Sequence, residues 1–203
     1  MLTILINDIL KLTFNVQPVR ATVTIYIKAN GSVVPSTAPI QNIGNYSYIF
    51  KSNINDSIVV ERDSIVINGA GYTLQGTGSE KGIDLTGKSN VTIKNMAVTN
   101  FYYGIYFESS NNITLSGNNI TDNYYGIAFG SSTSNNIVCN SVINNAQNGI
   151  YLFYSDNNIF YGNDVSSNKR YGIVLSKSGN NTIFHNNINN TNQTYLYETS
   201  NNL

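Results

Sequence analysis

Beyond residue 81 the apolar positions fall in short alternating runs, broken by glycine, asparagine and serine, and the same offsets keep returning. Gly82, Gly104, Gly126, Gly149 and Gly172 are each followed by isoleucine, and successive glycines stand 22 or 23 residues apart. Three residues after the glycines come Leu85, Phe107, Phe129, Leu152 and Leu175. Eleven after them come Ile93, Leu115, Ile137, Phe160 and Ile183, and sixteen after them Val98, Ile120, Val142, Val165 and Ile188. A period of two marks half-buried strands, whereas a helix would show an apolar stripe of period 3.6. Each unit therefore predicts three short strands. A unit this small cannot bury its apolar face by itself, so units must stack with equivalent residues over one another, ~4.8 Å apart. Parallel crossovers turn right-handed. The predicted fold is all-β, a right-handed single-stranded parallel β-helix with three short strands per coil.

Asparagine fills the bends predicted between these strands. One column is Asn118, Asn140, Asn163 and Asn186; a second, four residues before each glycine, is Asn100, Asp122, Asn145 and Asn168. A third is Asn90, Asn112, Ser134, Asn157 and Asn180. A short amide side chain tolerates left-handed backbone, and stacked copies pass hydrogen bonds from coil to coil as a ladder. These columns are read as architecture, with Asn118, Asn140, Asn163 and Asn186 as the structural ladder.

The chain divides accordingly. Residues 1–21 carry an apolar patch, Met1 to Leu12, and then Asn15 to Ala21, which together resemble a degenerate secretory signal with cleavage after Ala21. Residues 22–56 alternate strongly around Asn30-Gly31, Pro35 and Pro39 and predict an N-terminal β cap outside the repeat register. Residues 57–203 make the helix proper. Past Ile188 the register is expected to continue with Thr194 in the glycine position, Tyr195 and Tyr197 inward and Asn202 in the bend column. A coil left open there predicts further coils in a longer product, or end-to-end self-association.

Composition narrows the function classes. Eleven basic residues balance eleven acidic ones, so the chain lacks the basic footprint that nucleic-acid binding requires. No stretch reaches the ~20 apolar residues needed to span a membrane as a helix. A single cysteine, Cys139, excludes an internal disulfide framework and reads as a small residue near a bend. Nine Asn-x-Ser/Thr sequons, beginning at Asn30, Asn45, Asn55, Asn90, Asn112, Asn119, Asn180, Asn189 and Asn192, accord with a surface location.

Several runs resemble the right-handed β-helix proteins of the pectin-lyase-like superfamily, specifically NosD-like periplasmic or archaeal surface proteins. They are Asn111 to Ile120, Asn157 to Asn163, the Tyr-Gly-Ile at 103–105, 125–127 and 171–173, and Ile67 to Leu74. This resemblance covers roughly residues 22–203 and implies fold more than activity, because the superfamily holds lyases, hydrolases, epimerases and binding modules. A polysaccharide lyase or hydrolase would need clustered carboxylates with a base on the same face, and glycoside hydrolysis needs a pair at defined separation. Asp122, Asp164, Asp84 and Glu108 instead read as isolated, each in its own coil, and no catalytic residue is assigned. NosD-like proteins are associated with copper delivery, yet Met96, Cys139 and His185 are the only soft or imidazole candidates near the coils. Cys139 and His185 share a column two coils apart, ~10 Å, too far to chelate one ion. No metal site and no cofactor is expected.

What remains is aromatic. Tyr103, Tyr125 and Tyr171 stand just before the glycine column, and Tyr106 and Tyr151 lie two residues after it, between inward neighbours, so they should face solvent. Exposed phenol rings can carry the apolar face of a sugar while bonding its edge. The expectation is an exported or cell-surface scaffold, extracellular or periplasmic, that contacts polysaccharide or cell-surface glycan through Tyr103, Tyr106, Tyr125, Tyr151 and Tyr171.

Overall fold

The computed structural model describes residues 23–200. Its strands form three sheets, and no helix occurs among the described residues. Sheet A runs through Ile25–Ile27, Ile58–Val60, Lys81–Asp84, Tyr103–Glu108, Tyr125–Gly130, Ile150–Phe153, Tyr171–Ser176 and Asn192–Tyr197. Sheet B includes Thr92–Lys94, Thr114–Ser116, Asn136–Val138 and Ile159–Tyr161, and sheet C includes Ala97–Thr99, Asn119–Thr121, Ser141–Ile143 and Asp164–Ser166. From Ile58 onward every strand pairing is parallel, with Ile83, Ile105, Ile127, Ile150 and Ile173 in one register. This is the parallel β-helix that the alternation predicts, three strands to the coil.

The inward columns form one continuous core. Ile105, Phe107, Leu115, Ile120, Ile127, Phe129, Ile137 and Val142 are all buried. Phe107 stacks on Phe129 at 4.5 Å between ring centroids, and Phe129 on Phe160 at 6.3 Å. Glycine recurs before sheet A because of close approach: a Cβ on Gly126 would stand 2.5 Å from the Gly149 carbonyl oxygen and 2.9 Å from the Asn145 amide nitrogen.

Segment 22–56 departs from a cap lying outside the register. Ile25–Ile27 pairs in parallel with Ile58–Val60, and Ser47–Phe50 with Val66–Asn68, so they already trace a coil. Val33–Val34 pairs antiparallel with Ile25–Ile27, and Ile40–Ile43 with Ser47–Phe50, each forming the edge of its sheet. The far end also differs. Tyr171 pairs with Asn192 and Ile173 with Thr194, which puts Gln193 in the glycine position and turns Tyr195 and Tyr197 outward, with Leu196 beside Leu175. The cause is a shortened approach to the last strand: Asn190 follows Asn186 by four residues, against five from Asn163 to Asn168, and precedes Gln193 by three, against four from Asn168 to Gly172. Residues 1–21 and Asn202 lie outside the described residues.

Each corner combines two roles that asparagine can play. One residue takes left-handed backbone, and the residue after it turns inward and bonds to the next coil. Asn118, Asn140, Asn163 and Asn186 are such a ladder: the amide nitrogens of Asn118, Asn140 and Asn163 donate to the next oxygen at 3.0, 3.1 and 2.8 Å. The preceding positions, Gly117, Cys139, Gly162 and His185, have φ between 53° and 65°. Of the other two expected ladders, one is displaced by a residue throughout and the other only at Asn100 and Asp122, Asn145 and Asn168 being rungs as expected. The true rungs are Asn123, Asn145, Asn168 and Asn190, and Asn135, Asn158 and Asn181. Asn100 and Asp122, and Asn90, Asn112, Ser134, Asn157 and Asn180, instead supply the left-handed backbone beside them. At the corner leaving sheet A, Ser110, Ser132, Ser155 and Ser178 form a fourth column, each backbone N–H donating to the next hydroxyl at 3.0 to 3.2 Å.

Asn140 shows what a rung does. Its oxygen accepts from the backbone and side chain of Asn118, and its nitrogen donates to Leu115, Val138 and Asn163. Asn140→Ala leaves several buried groups unpaired and should destabilise by at least ~1–3 kcal/mol, a lost buried partner being costlier than an exposed one. Asn144→Gly, at an exposed left-handed corner (φ 57°), should stay within about 0.5 kcal/mol of wild type. Denaturant midpoints of the two variants check this; equal shifts would refute the division of labour.

Candidate functional site

Alternation in the sheet A strands sends every second side chain outward, and stacking turns these into columns on one outer face. The first column is Lys81, Tyr103, Tyr125, Asn148 and Tyr171, each one residue ahead of its glycine. The second is Asp84, Tyr106, Ala128, Tyr151, Val174 and Tyr195, and the third Glu108, Gly130, Phe153, Ser176 and Tyr197. In the last two columns bulky and small residues alternate from coil to coil between Tyr106 and Tyr195. Rings therefore recur at two-coil intervals, ~9.6 Å, with hollows between them.

The five tyrosines expected at the site all sit on this face, half-buried because they lean on one another. Tyr103 stacks on Tyr125 at 5.3 Å and 17°, and Tyr102 stacks on Tyr124 beside them at 4.7 Å. Tyr103 also leans on Tyr106 at 5.1 Å, and Tyr125 on Tyr151 at 6.2 Å. Burial raises the pKa of Tyr103 and Tyr125 above the usual phenol value, with neighbouring phenols adding to it. Ala128 points outward yet is only 2% exposed. It floors a hollow of about 150 Å³ between Tyr103, Tyr106 and Tyr151, so outward orientation does not make it a free surface position.

A larger cleft of about 410 Å³ opens two coils further on. Tyr125, Tyr151, Tyr171, Tyr195 and Tyr197 supply its rings, Asn148, Val174 and Ser176 the small residues between them, and Arg170 a cation near the Tyr171 ring, 5.6 Å from its centroid. Tyr125, Tyr151 and Tyr171 thus meet in one cleft, while Tyr103 and Tyr106 border the smaller hollow. Asn148 and Val174 escaped the sequence reading. The signal was present as an interruption of otherwise aromatic columns.

The carboxylates on this face are not isolated, contrary to the reading from the sequence. Asp84 and Glu108 lie on neighbouring coils, and Lys81 and Tyr106 join them into one group. The Lys81 Nζ donates to Asp84 at 2.7 Å and stands 3.9 Å from the centroid of the Tyr106 ring, whose hydroxyl donates to Glu108 at 3.0 Å. Linear offsets hid this, because Glu108 lies two residues beyond the column that Asp84 occupies. Burial works to raise the Asp84 pKa, but hydrogen bonds from Lys81 and Thr86 outweigh it and hold the carboxyl below its ordinary range. Burial, then the hydrogen bond to Glu108 and its charge, push Tyr106 up to about 12.

These features define a β-helix of the pectin-lyase-like class with an aromatic outer sheet. The chain belongs to the NosD family: the family described as "Periplasmic copper-binding protein (NosD)" matches residues 22–203. Among solved structures it is similar to the periplasmic alginate epimerase AlgG, with 19% identity, a TM-score of 0.61, and coverage of 72% of this chain and 47% of that one. It is also similar to the A-module of the Azotobacter vinelandii mannuronan C-5 epimerase AlgE6, with 17% identity, a TM-score of 0.56, and coverage of 76% and 51%. At these identities the likeness is one of fold, and this chain spans about half the length of those structures. Neither bears on the likeness to archaeal surface proteins. No curated protein matched the chain by sequence.

The family's description implies copper, and the residues present do not fit it. Cys139 and His185 are exposed at left-handed corners of one column, with Gly162 on the coil between them, so ~9.6 Å of stacking separates them. Met96 is 2% exposed and packed in the core. Among the described residues no group of three or more His, Cys, Asp or Glu side chains is placed to hold a metal ion. Nor is any helix of the described residues long and apolar enough to cross a membrane.

The Tyr106 shift has a signed consequence. Its folded pKa lies above the ordinary 10.0, so its contribution is fully present below pH 10 and is lost as pH rises through about 12. Phenolate absorbance of wild type minus Tyr106→Phe should show one group titrating near 12, and Glu108→Gln should bring it down. A difference curve centred on the ordinary phenol value would refute the Tyr106–Glu108 contact.

Proposed function

We propose that the chain is an exported, non-catalytic β-helix scaffold that binds polysaccharide or cell-surface glycan along the outer face of sheet A. The observation that carries this reading is the cleft between Tyr125, Tyr151 and Tyr171, where phenol rings project from neighbouring coils of one rigid sheet. Pyranose rings offer an apolar face and a hydroxyl edge. A tyrosine offers the complement, an apolar ring with a polar tip, and strand placement holds it before the ligand arrives. The solved structures of similar fold include an alginate epimerase and a mannuronan epimerase, which supports polysaccharide as the ligand class without carrying over their chemistry. The rival reading, a lyase or hydrolase, would draw on Asp84 and Glu108. Both already take hydrogen bonds, from Lys81 and Tyr106, which favours a structural use of the pair.

Affinity electrophoresis through gels carrying different polysaccharides tests the proposal. Retardation by at least one polysaccharide is expected. Tyr151→Ala and Tyr171→Ala should each weaken that binding about tenfold, ~1.4 kcal/mol, while Tyr46→Ala on the distant N-terminal turn leaves it unchanged. Silence on every polysaccharide would remove the binding claim. Release of reducing ends or unsaturated products, abolished by Asp84→Asn, would replace it with the enzymatic reading.

A further inference from the structure

The first outward column has a missing rung. Lys81 is followed by Tyr103 and Tyr125, then Asn148, then Tyr171. Where the stack continues, the Tyr103 and Tyr125 rings lie 5.3 Å apart; where asparagine stands instead, Tyr125 and Tyr171 project from strands two coils apart, ~9.6 Å. A flat ring inserted between two others needs two van der Waals contacts of ~3.5–4 Å each. The gap holds one pyranose ring, and the second column repeats the motif with Val174 between Tyr151 and Tyr195.

The floor of this gap is unusual. Asn148 is 4% exposed and lines the cleft, and its Oδ1 is buried without a hydrogen-bond partner. Other buried asparagines of the corners engage their oxygens in ladders. Asn148 belongs to no ladder, because it lies three residues past the rung Asn145 and just before Gly149. An unpaired buried acceptor is destabilising, and turning the side chain toward a ligand hydroxyl would relieve that cost.

We infer that the Asn148 cleft is a single-ring subsite for a neutral sugar, held between the Tyr125 and Tyr171 rings with one hydroxyl donating to Asn148 Oδ1. This deepens, and rests on, the glycan-binding reading of the same face. The Asn148 side chain is uncharged, so the group it favours at the floor is a hydroxyl over a carboxylate. Val174 beside it, 5% exposed, gives the sugar an apolar contact and no charge. Arg170, the cation of this cleft, is exposed and lies against the Tyr171 ring.

The test uses the whole chain against neutral oligosaccharides (gluco- and manno-configured) and acidic ones (oligouronates), read by titration calorimetry. Neutral oligosaccharides should bind without any uronate requirement. Asn148→Leu, which removes the acceptor at similar volume, should weaken them at least tenfold, whereas Asn148→Asp, which keeps an acceptor, should retain them. Tyr46→Ala, on the N-terminal turn, should leave neutral binding unchanged. Melting curves of each variant confirm that the fold survives; should Asn148→Leu not fold, retention of neutral sugars by Asn148→Asp decides. Loss of neutral binding in Asn148→Asp overturns the subsite. Binding confined to oligouronates, lost in Arg170→Gln and untouched in Asn148→Leu, overturns the subsite and leaves the glycan-binding reading intact. No binding to either series removes both.

Discussion

The structure depends on one constraint: each coil must hand its backbone to the next at a fixed rise, at corners where strand hydrogen bonds are interrupted. The buried amides meet it. A rung such as Asn123 takes the N–H of Phe101 on the coil before, gives its own nitrogen to Val98, and reaches Asn145 on the coil after. No water is needed to satisfy those groups, and an unsatisfied polar atom in this dry position would be expensive. The apolar columns then stack because the corners hold them in register. Affinity for the core drives coiling; the ladders decide where each coil lies.

The fold was legible because a column needs only a repeated residue type at a repeated offset, and Gly-Ile, Leu85 and Ile93 with their successors supply it. The ladders were half legible. Asparagine satisfies both the left-handed corner and the buried rung that follows it, and adjacent Asn-Asn pairs such as Asn144-Asn145 leave composition unable to say which is which. Counting back from glycine chose the wrong member in the first coils because the distance from rung to glycine is three residues at Asn123 and four at Asn145. The step from Asn186 to Asn190, one residue shorter than in the coils before, displaced the expected register after Ile188.

The outer face was legible in its rings and not in its gaps. Aromatic residues announce themselves, and Tyr103, Tyr106, Tyr125, Tyr151 and Tyr171 do share one surface. What shapes a cleft is the small residue between rings, and Ala128, Asn148 and Val174 show only as interruptions of the aromatic columns once the coils are aligned. The contact of Lys81, Asp84, Tyr106 and Glu108 is likewise a product of stacking. It joins residues from two coils whose separation along the chain exceeds 20 residues. Familiarity of fold does not supply this level of detail, since the same coil carries unrelated surfaces in different proteins.

In the middle coils, differences in coil length are absorbed at one place. The steps from glycine to the serine column, from serine to Asn118, Asn140 and Asn163, and from those to the next rung stay constant, while the step from that rung to glycine changes. The added residue enters between Asn145 and Gly149, the corner that delivers Asn148, and its counterpart one coil on delivers Arg170. This corner is the molecule's expansion joint. Residues can be gained or lost there without moving a ladder or a core column, and each such change resets which side chain overlooks the outer face. A solenoid built this way can vary its surface chemistry coil by coil while its interior stays fixed.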